Sequence, residues 1–245
     1  AHAAPPSVDV FTVRTDGVGG DVVAALSTQL TDEELARGAR FVRAVDRDTF
    51  VIARALVRAT LSAYGPTAPR DWRFETNTHG CPFVVAPQAG TPRLAFNLSH
   101  TTGLVALAVT RGRLVGVDVE RVDRVLREDV AGRHFAPAEV RDLRALPAAA
   151  QPRAFFEYWT LKEAYIKARG MGLAIPLADF AFTLAPPAAP TIHFVDGFDD
   201  RPERWQFWQA WPTTAHRLSL AVTREDLDRE VAVTLTESAA EALVA

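Results

Sequence analysis

The stretch VALAVTR at residues 105–111 returns as LSLAVTR at residues 218–224, an offset of 113 residues. Each copy is preceded by a helix-like segment that ends at a glycine, at residues 50–65 and 155–170, and then by an aromatic strand candidate. Similar elements that recur in the same order indicate an internal duplication. We therefore predict an α+β fold, a pseudo-dimer of two similar α/β halves divided into residues 1–113 and 114–245.

The composition narrows the class of protein. The chain has 245 residues, of which 48% are hydrophobic, so a full core can form. Its net charge of −3 disfavours nucleic-acid binding. Cys81 is the only cysteine, so an intramolecular disulfide is excluded, which fits the cytoplasm. No apolar run approaches the roughly 20 residues of a membrane helix, and residues 1–6 lack a signal-peptide pattern. The duplication favours a monomer.

The segment GVDVE at residues 116–120 is the first candidate for chemistry. The alternation of a strand puts Asp118 and Glu120 on one face, opposite Val117 and Val119. Two carboxylates on one face repel each other unless a cation lies between them, and Mg²⁺ prefers such oxygen ligands. The alternative is an acidic strand end that simply faces water.

The segment WTLKEAYIK at residues 159–167 is the second candidate. On a helix, Lys162 falls within the apolar stripe of Phe155, Trp159 and Ile166. Such a lysine could extend its ammonium to the surface, but a buried or cleft anion explains its position better. Glu163 and Lys167 are four residues apart, a spacing that could also serve only to support the helix.

Two further groups carry polar or positive charge. The segment NLSHT at residues 97–101 gathers hydrogen-bond donors at a strand end, where they suit phosphate oxygens, although a capped turn is the alternative. Upstream, five arginines add positive charge and could equally be a solvated face: Arg37, Arg40, Arg43, Arg47 and Arg54.

These motifs together resemble the Sfp-type 4′-phosphopantetheinyl transferases. That family pairs Gly-(Val/Ile)-Asp-x-Glu with aromatic-x-x-Lys-Glu-Ala-x-x-Lys some 40 residues later, as residues 116–120 and 159–167 do here. Residues 97–101 resemble its N-x-S-H segment. Residues 79–83 (HGCPF) resemble its Gly-Lys-Pro turn, with Cys81 in place of the lysine. Arg133-His134-Phe135 followed by Glu139 is similar to its R-F-F…E stretch.

The resemblance implies an active site in a cleft between the halves. The first half would contact the coenzyme A phosphates and adenine, and the second would carry the metal site, the lysines and the carrier-docking face. The implied reaction moves the phosphopantetheine arm of coenzyme A to a serine of an acyl or peptidyl carrier protein. Basic and apolar residues within 121–146, among them Val125, Leu126, Arg127 and Phe135, suit such a carrier.

The resemblance also assigns roles to residues. Mg²⁺, with Mn²⁺ as the alternative, is expected at Asp118, Glu120 and Glu163. Phosphate contacts are expected from Lys162, Lys167, Ser99 and His100. The adenine site is expected at Gly80, Cys81, Pro82 and Phe83, without the lysine contact that Cys81 replaces. Candidates for the 3′-phosphate are Arg37, Arg40, Arg47 and Arg54.

Little covalent chemistry would fall to the protein beyond positioning and charge neutralisation, in which Lys162 is also expected to take part. Glu163 is the first choice for the base that takes the serine proton, because a helix fixes it beside the metal. Glu120 and a metal-bound water are competitors. The natural carrier and the choice between Mg²⁺ and Mn²⁺ stay open.

Two other functions compete with this interpretation. A non-catalytic coenzyme A- or carrier-binding module of the same fold would be expected to lack an acidic ligand, yet all three carboxylates are present. Another Mg²⁺-dependent phosphoryl or nucleotidyl enzyme would be supported by a G-x-x-x-x-G-K-[ST] loop, which the sequence does not contain.

Overall fold

The computed structural model describes residues 6–86, 88, 90, 92–124, 129–227 and 229–244. In the first half, the helices and strands are β1 Ser7–Arg14, α1 Gly20–Ser27, α2 Asp32–Gly38, α3 Ala44–Ser62, β2 Phe74–Thr76, β3 Pro82–Val84, β4 Leu94–Thr101 and β5 Leu104–Arg111. In the second half they are β6 Val115–Arg121, α4 Val130–His134, α5 Pro137–Ala145, α6 Gln151–Arg169, β7 Phe180–Thr183, β8 Thr191–Phe194, β9 Trp205–Thr213, β10 His216–Thr223 and β11 Ala232–Ser238.

The two halves repeat one arrangement. In the first, β1, β5 and β4 form an antiparallel sheet in that order, and in the second β6, β10 and β9 do the same. A 19-residue helix follows the first strand of each set, and a two-stranded hairpin follows each helix. The two copies of the sequence repeat lie in β5 and β10, the central strands of the sets. The predicted α+β fold of two similar halves is confirmed.

The end of the chain departs from the predicted division. Strand β11 pairs in parallel with β1, with Val8 opposite Val233 and Val10 opposite Leu235. It therefore extends the sheet of the first half, although the sequence places it in the second. The side of β1 opposite β5 is covered in this way, which removes a row of unpaired backbone groups. A division at residue 113 consequently does not hold for the last strand.

Helix α6 lies directly against β6 because of one glycine. A Cβ atom at Gly116 would collide with the backbone oxygen of Ala164 and the backbone nitrogen of Ala168. Only glycine permits this approach of two backbones. The acidic end of β6 is therefore held against the face of α6 that carries Glu163 and Lys167.

Within the described residues, no helix is long and apolar enough to cross a membrane.

Candidate active site

The site lies where β4 of the first half meets β6 of the second. Asn97 accepts a hydrogen bond from the backbone N–H of Val117 at 3.0 Å, and Ser99 accepts one from Val119 at 3.3 Å. Since alternate residues of a strand face the same way, one row of β4 side chains binds β6 in place of a backbone ladder. These hydrogen bonds fix where the acidic residues of β6 lie along β4.

Asp118 is the centre of the site and is only 4% exposed. Its Oδ1 accepts hydrogen bonds from the Ser99 hydroxyl at 2.9 Å and the Lys167 ammonium at 2.7 Å. Its Oδ2 is buried and has no hydrogen-bond partner among the described residues. A buried carboxylate oxygen without a partner is costly, which indicates that a ligand completes its surroundings.

Glu163 and Glu120 share the negative field of Asp118. Burial, followed by the Asp118 charge, raises the pKa of Glu163 to about 7, while Lys167 opposes the rise. Burial and Asp118 also raise the pKa of Glu120, and Arg124, 3.1 Å away, opposes it. The three carboxylates therefore carry more negative charge than Lys167 and Arg124 neutralise. A divalent cation bound among them would supply the missing positive charge.

The donor set fits a hard cation such as Mg²⁺, because all three groups offer oxygen and one oxygen of Asp118 is free. Within the described ranges, no group of three His, Cys, Asp or Glu side chains already converges as a metal site. The Lys167 ammonium instead lies against Asp118.

The structure contradicts the predicted role of Lys162. It is fully buried, its ammonium lies 2.7 Å from the Glu139 carboxylate, and it donates to the backbone oxygens of Leu177 and Phe180 at 2.7 Å each. All three donors of the ammonium are thereby used. Burial lowers the pKa of Lys162 and raises that of Glu139, and their pairing opposes both shifts. The predicted phosphate contact and catalytic role of Lys162 are wrong, because a buried anion explains its position.

Ser99 is committed to the protein rather than open to a ligand. It is 6% exposed and bonds Asp118, Lys167 and the backbone of Val119. Its observed role is to hold the carboxylate and the ammonium in place. His100, one residue on, is exposed. Although part of its surface is exposed, partial desolvation of the ring by surrounding atoms and the nearby Lys167 charge lower its pKa, while Asp46 at the start of α3 opposes the shift. His100 therefore lies between the acidic site and α3.

The four candidate arginines do not share one environment. Arg54 lies 2.7 Å from Glu34 in a largely buried ion pair, so it joins α3 to α2 and is no free phosphate ligand. Arg37, Arg40 and Arg47 are exposed. Among the residues that the structure describes, Arg47 pairs with its neighbour Asp48, at 3.3 Å. The exposed three remain available to an anion.

A cavity of about 930 Å³ separates the halves beside the acidic site. The first half contributes Cys81, Pro82 and Phe83, and the second contributes residues 167–170. Besides Arg169, five arginines and two glutamates line it: Arg93, Arg113, Arg201, Arg204, Arg224, Glu203 and Glu225. Its volume suits a nucleotide-sized ligand and its charge favours a phosphorylated one. Lys167 lines the cavity and also touches Asp118, so it joins the two regions.

The predicted docking stretch is only partly described. Arg121 pairs with Asp123 at 2.7 Å and Arg124 with Glu120. Phe135, predicted to belong to the docking face, is 4% exposed and stacks on Phe155 with ring centroids 5.1 Å apart. It is therefore a core residue. Val125, Leu126 and Arg127 lie outside the described residues.

Sequence reasoning missed the function of Asn97 and the partner of Lys162. The alternation of Asn97, Ser99 and Thr101 was a usable signal, because polar residues at every second position of a strand share a face. The sequence singles out Glu139 only as part of a family motif. Nothing in its local sequence indicates that it reaches Lys162 on α6.

The fold and the site define a class of enzyme: a duplicated α+β transferase with an acidic, lysine-bearing site beside a basic cavity at the junction of its halves. The profile described as "4′-phosphopantetheinyl transferase superfamily" matches residues 114–223. A second, described as "4′-phosphopantetheinyl transferase, N-terminal", matches residues 21–112.

Individual relatives agree with the profiles. The 4′-phosphopantetheinyl transferase HetI of Nostoc is 36% identical over 165 residues, which are 66% of this chain and 69% of that protein. A phosphopantetheinyl transferase of Thraustochytrium is 30% identical and covers 93% of this chain and 83% of its own length. The transferase Sfp of Bacillus subtilis is 28% identical, over 68% of this chain and 72% of Sfp. The chain belongs to the 4′-phosphopantetheinyl transferase superfamily and is an Sfp-like enzyme of that family.

Proposed function

We propose that the protein transfers the 4′-phosphopantetheine arm of coenzyme A to a serine of an apo acyl or peptidyl carrier protein. The serine oxygen forms a bond to the β-phosphorus of coenzyme A, the bond to the bridging oxygen breaks, and 3′,5′-adenosine bisphosphate leaves. The observation that supports this most is Lys167, which lies both on the cavity and 2.7 Å from Asp118. It places a cation where the phosphates of a nucleotide in the cavity would meet the acidic site.

Asp118, Glu120 and Glu163 would hold Mg²⁺, with Mn²⁺ as the alternative. When bound, such an ion supplies charge neutralisation and polarisation for the pyrophosphate. The free oxygen of Asp118 and the raised pKa values of both glutamates support this assignment.

The other residues of the site would bind and orient the substrate. Lys167 would neutralise phosphate charge, and His100 would contact a phosphate near the start of α3. Gly80, Cys81, Pro82 and Phe83 would form the adenine-facing wall of the cavity. Of the arginines, Arg37, Arg40 and Arg47 are the candidates for the 3′-phosphate, because they are exposed. Ser99 would act by holding Asp118 and Lys167.

Glu163 would take the proton from the serine hydroxyl, with Glu120 as its competitor. Helix α6 is held against β6 by the backbone contact at Gly116, so Glu163 has a fixed position beside Asp118. A rigidly placed carboxylate is suited to general-base catalysis. Because the duplication puts both halves of the cleft in one chain, we expect the enzyme to act as a monomer.

The test is to incubate the protein with coenzyme A, Mg²⁺ and a panel of apo acyl and peptidyl carriers, and to record intact masses. A mass gain of about 340 Da on a carrier, the size of the arm, is expected. A carrier whose acceptor serine is replaced by alanine is the control. Binding of coenzyme A without a mass gain on any carrier would favour the non-catalytic module.

A further inference from the structure

Asn77 organises the turn that forms one wall of the cavity. It lies between β2 and β3, and its Oδ1 accepts hydrogen bonds from the backbone N–H groups of His79 and Cys81, at 2.9 Å each. The backbone of the same turn is closed by the Asn77 N–H to the Cys81 oxygen at 3.0 Å and by Gly80 to the Asn77 oxygen at 2.9 Å. Gly80 has φ of 80°, which a glycine adopts without strain. One side chain thus shapes residues 77–81.

The same side chain also reaches the other half. Its Nδ2 donates to the backbone oxygen of Gly170 at 2.7 Å. Gly170 ends α6 in the left-handed conformation, with φ of 64°. The fit there is close, because a Cβ at Gly170 would lie 3.1 Å from the Asn77 Nδ2 and 3.7 Å from the Cβ of Cys81. Asn77 therefore links a loop of the first half to the end of the main helix of the second.

The contact between Asn77 and Gly170 lies on the cavity wall, close to the lysine that touches the acidic site. Asn77, Cys81 and Gly170 all line the cavity, together with Lys167. Lys167 lies about one helical turn before Gly170 and is bonded to Asp118. A shift of the turn away from α6 would widen the cavity and alter the distance between its wall and the phosphate-facing lysine.

We infer that Asn77 is a positioning residue that fastens the turn of residues 77–81 to α6 and so sets the width of the nucleotide cavity. The inference rests on the proposed function, since it takes the nucleotide part of coenzyme A as the ligand of this cavity. Asn77 acts on binding rather than on chemistry, because its contacts lie in the cavity wall and not among the carboxylates.

Two variants of Asn77 test its two sets of contacts separately: the hydrogen bonds within the turn and the link to Gly170. Asn77→Ala removes every side-chain bond. Asn77→Asp keeps an acceptor for His79 and Cys81, but presents a carboxylate oxygen to the Gly170 oxygen and loses the link. Thr78→Ala, at the exposed neighbouring position of the same turn, is the matched control. Affinity for 3′,5′-adenosine bisphosphate is measured by calorimetry, and KM for coenzyme A and kcat are measured in the transfer assay.

Both Asn77 variants are expected to bind the bisphosphate about five- to twenty-fold more weakly, because both lose the hydrogen bond to the Gly170 oxygen. We expect KM for coenzyme A to rise in parallel, kcat to change by less than about threefold, and Thr78→Ala to match the wild type. Circular dichroism confirms folding, and if the alanine variant does not fold, the aspartate variant decides.

Wild-type affinity in Asn77→Asp would overturn the inference, and so would a loss confined to kcat. If the wild type binds the bisphosphate but transfers no arm to any carrier, the proposed function fails, while the binding comparison still decides the role of Asn77. A wild-type protein that does not bind the bisphosphate contradicts both.

Discussion

Helix α6 carries two lysines that each lie 2.7 Å from a carboxylate, and they differ in almost every other respect. Lys162 and Glu139 are sealed in the core, and each has further backbone partners. Lys167 is 28% exposed, and its partner Asp118 keeps one oxygen without a hydrogen bond among the described residues. A lysine–carboxylate pair whose bonds are complete holds the fold together, whereas one left incomplete beside a cavity is available to a ligand.

The largest expected effect comes from breaking the complete pair. Lys162→Met leaves Glu139 buried without its counter-ion, which should lower the free energy of unfolding by about 3 to 5 kcal/mol. Chemical denaturation measures this change. The double variant Lys162→Met with Glu139→Leu should recover part of the stability, because no buried charge remains. If Lys162→Met were stable but no longer bound coenzyme A, Lys162 would be a substrate-binding residue rather than a structural one.

Removing the lysine of the incomplete pair should reduce activity more than stability. Lys167→Met is expected to lower kcat/KM for coenzyme A about a hundredfold, since it removes the cation between the cavity and the carboxylates. Its unfolding free energy should fall by clearly less than that of Lys162→Met, because the Lys167 side chain is 28% exposed and the Ser99 hydroxyl still donates to Asp118. Steady-state kinetics and denaturation of one preparation test both parts. Equal damage to stability by the two lysine variants would erase the contrast.

The approach of α6 to β6 can be broken without touching a charge. Gly116→Ala places a methyl group against the backbone of α6 and should cost roughly 2 to 3 kcal/mol of stability by overpacking. It should also reduce transfer, because Glu163 and Lys167 move relative to Asp118. Denaturation and kinetics measure the two effects. Gly65→Ala is the control, since a Cβ there meets nothing within 4 Å and the backbone is not in the left-handed region. Unchanged activity in Gly116→Ala would show that the spacing is not critical.

The smallest expected effect is a change of the free energy of unfolding with pH, caused by Glu163 and measured with EDTA present. The folded pKa of Glu163, about 7, lies above its ordinary value of 4.5. The folded state therefore holds the proton more tightly, and stability should fall as pH rises between these values, by about 1 to 2 kcal/mol. Glu163→Gln should flatten this part of the profile. A wild-type stability that rises through the same interval would contradict the predicted sign.

The sequence predicted the duplication and the acidic segments because both are local patterns. The repeat in β5 and β10 and the alternation of Asp118 and Glu120 can be seen within a few residues. The ion pair of Lys162 with Glu139 could not be found in this way, since it depends on how α5 packs against α6. The pairing of β11 with β1 joins the two ends of the chain, and no short pattern indicates it. The contact of Asn77 with Gly170 likewise exists only once the halves meet.

We propose above that the incomplete site at the junction of the halves carries out arm transfer. The most direct measurement compares Glu163→Gln with the wild type by intact mass of an apo carrier that the wild type modifies, with the fold of both checked by circular dichroism. We predict a folded variant that leaves most of the carrier without the gain of about 340 Da. A folded variant that modifies the carrier at the wild-type rate would show that Glu163 and its site do not carry out the transfer.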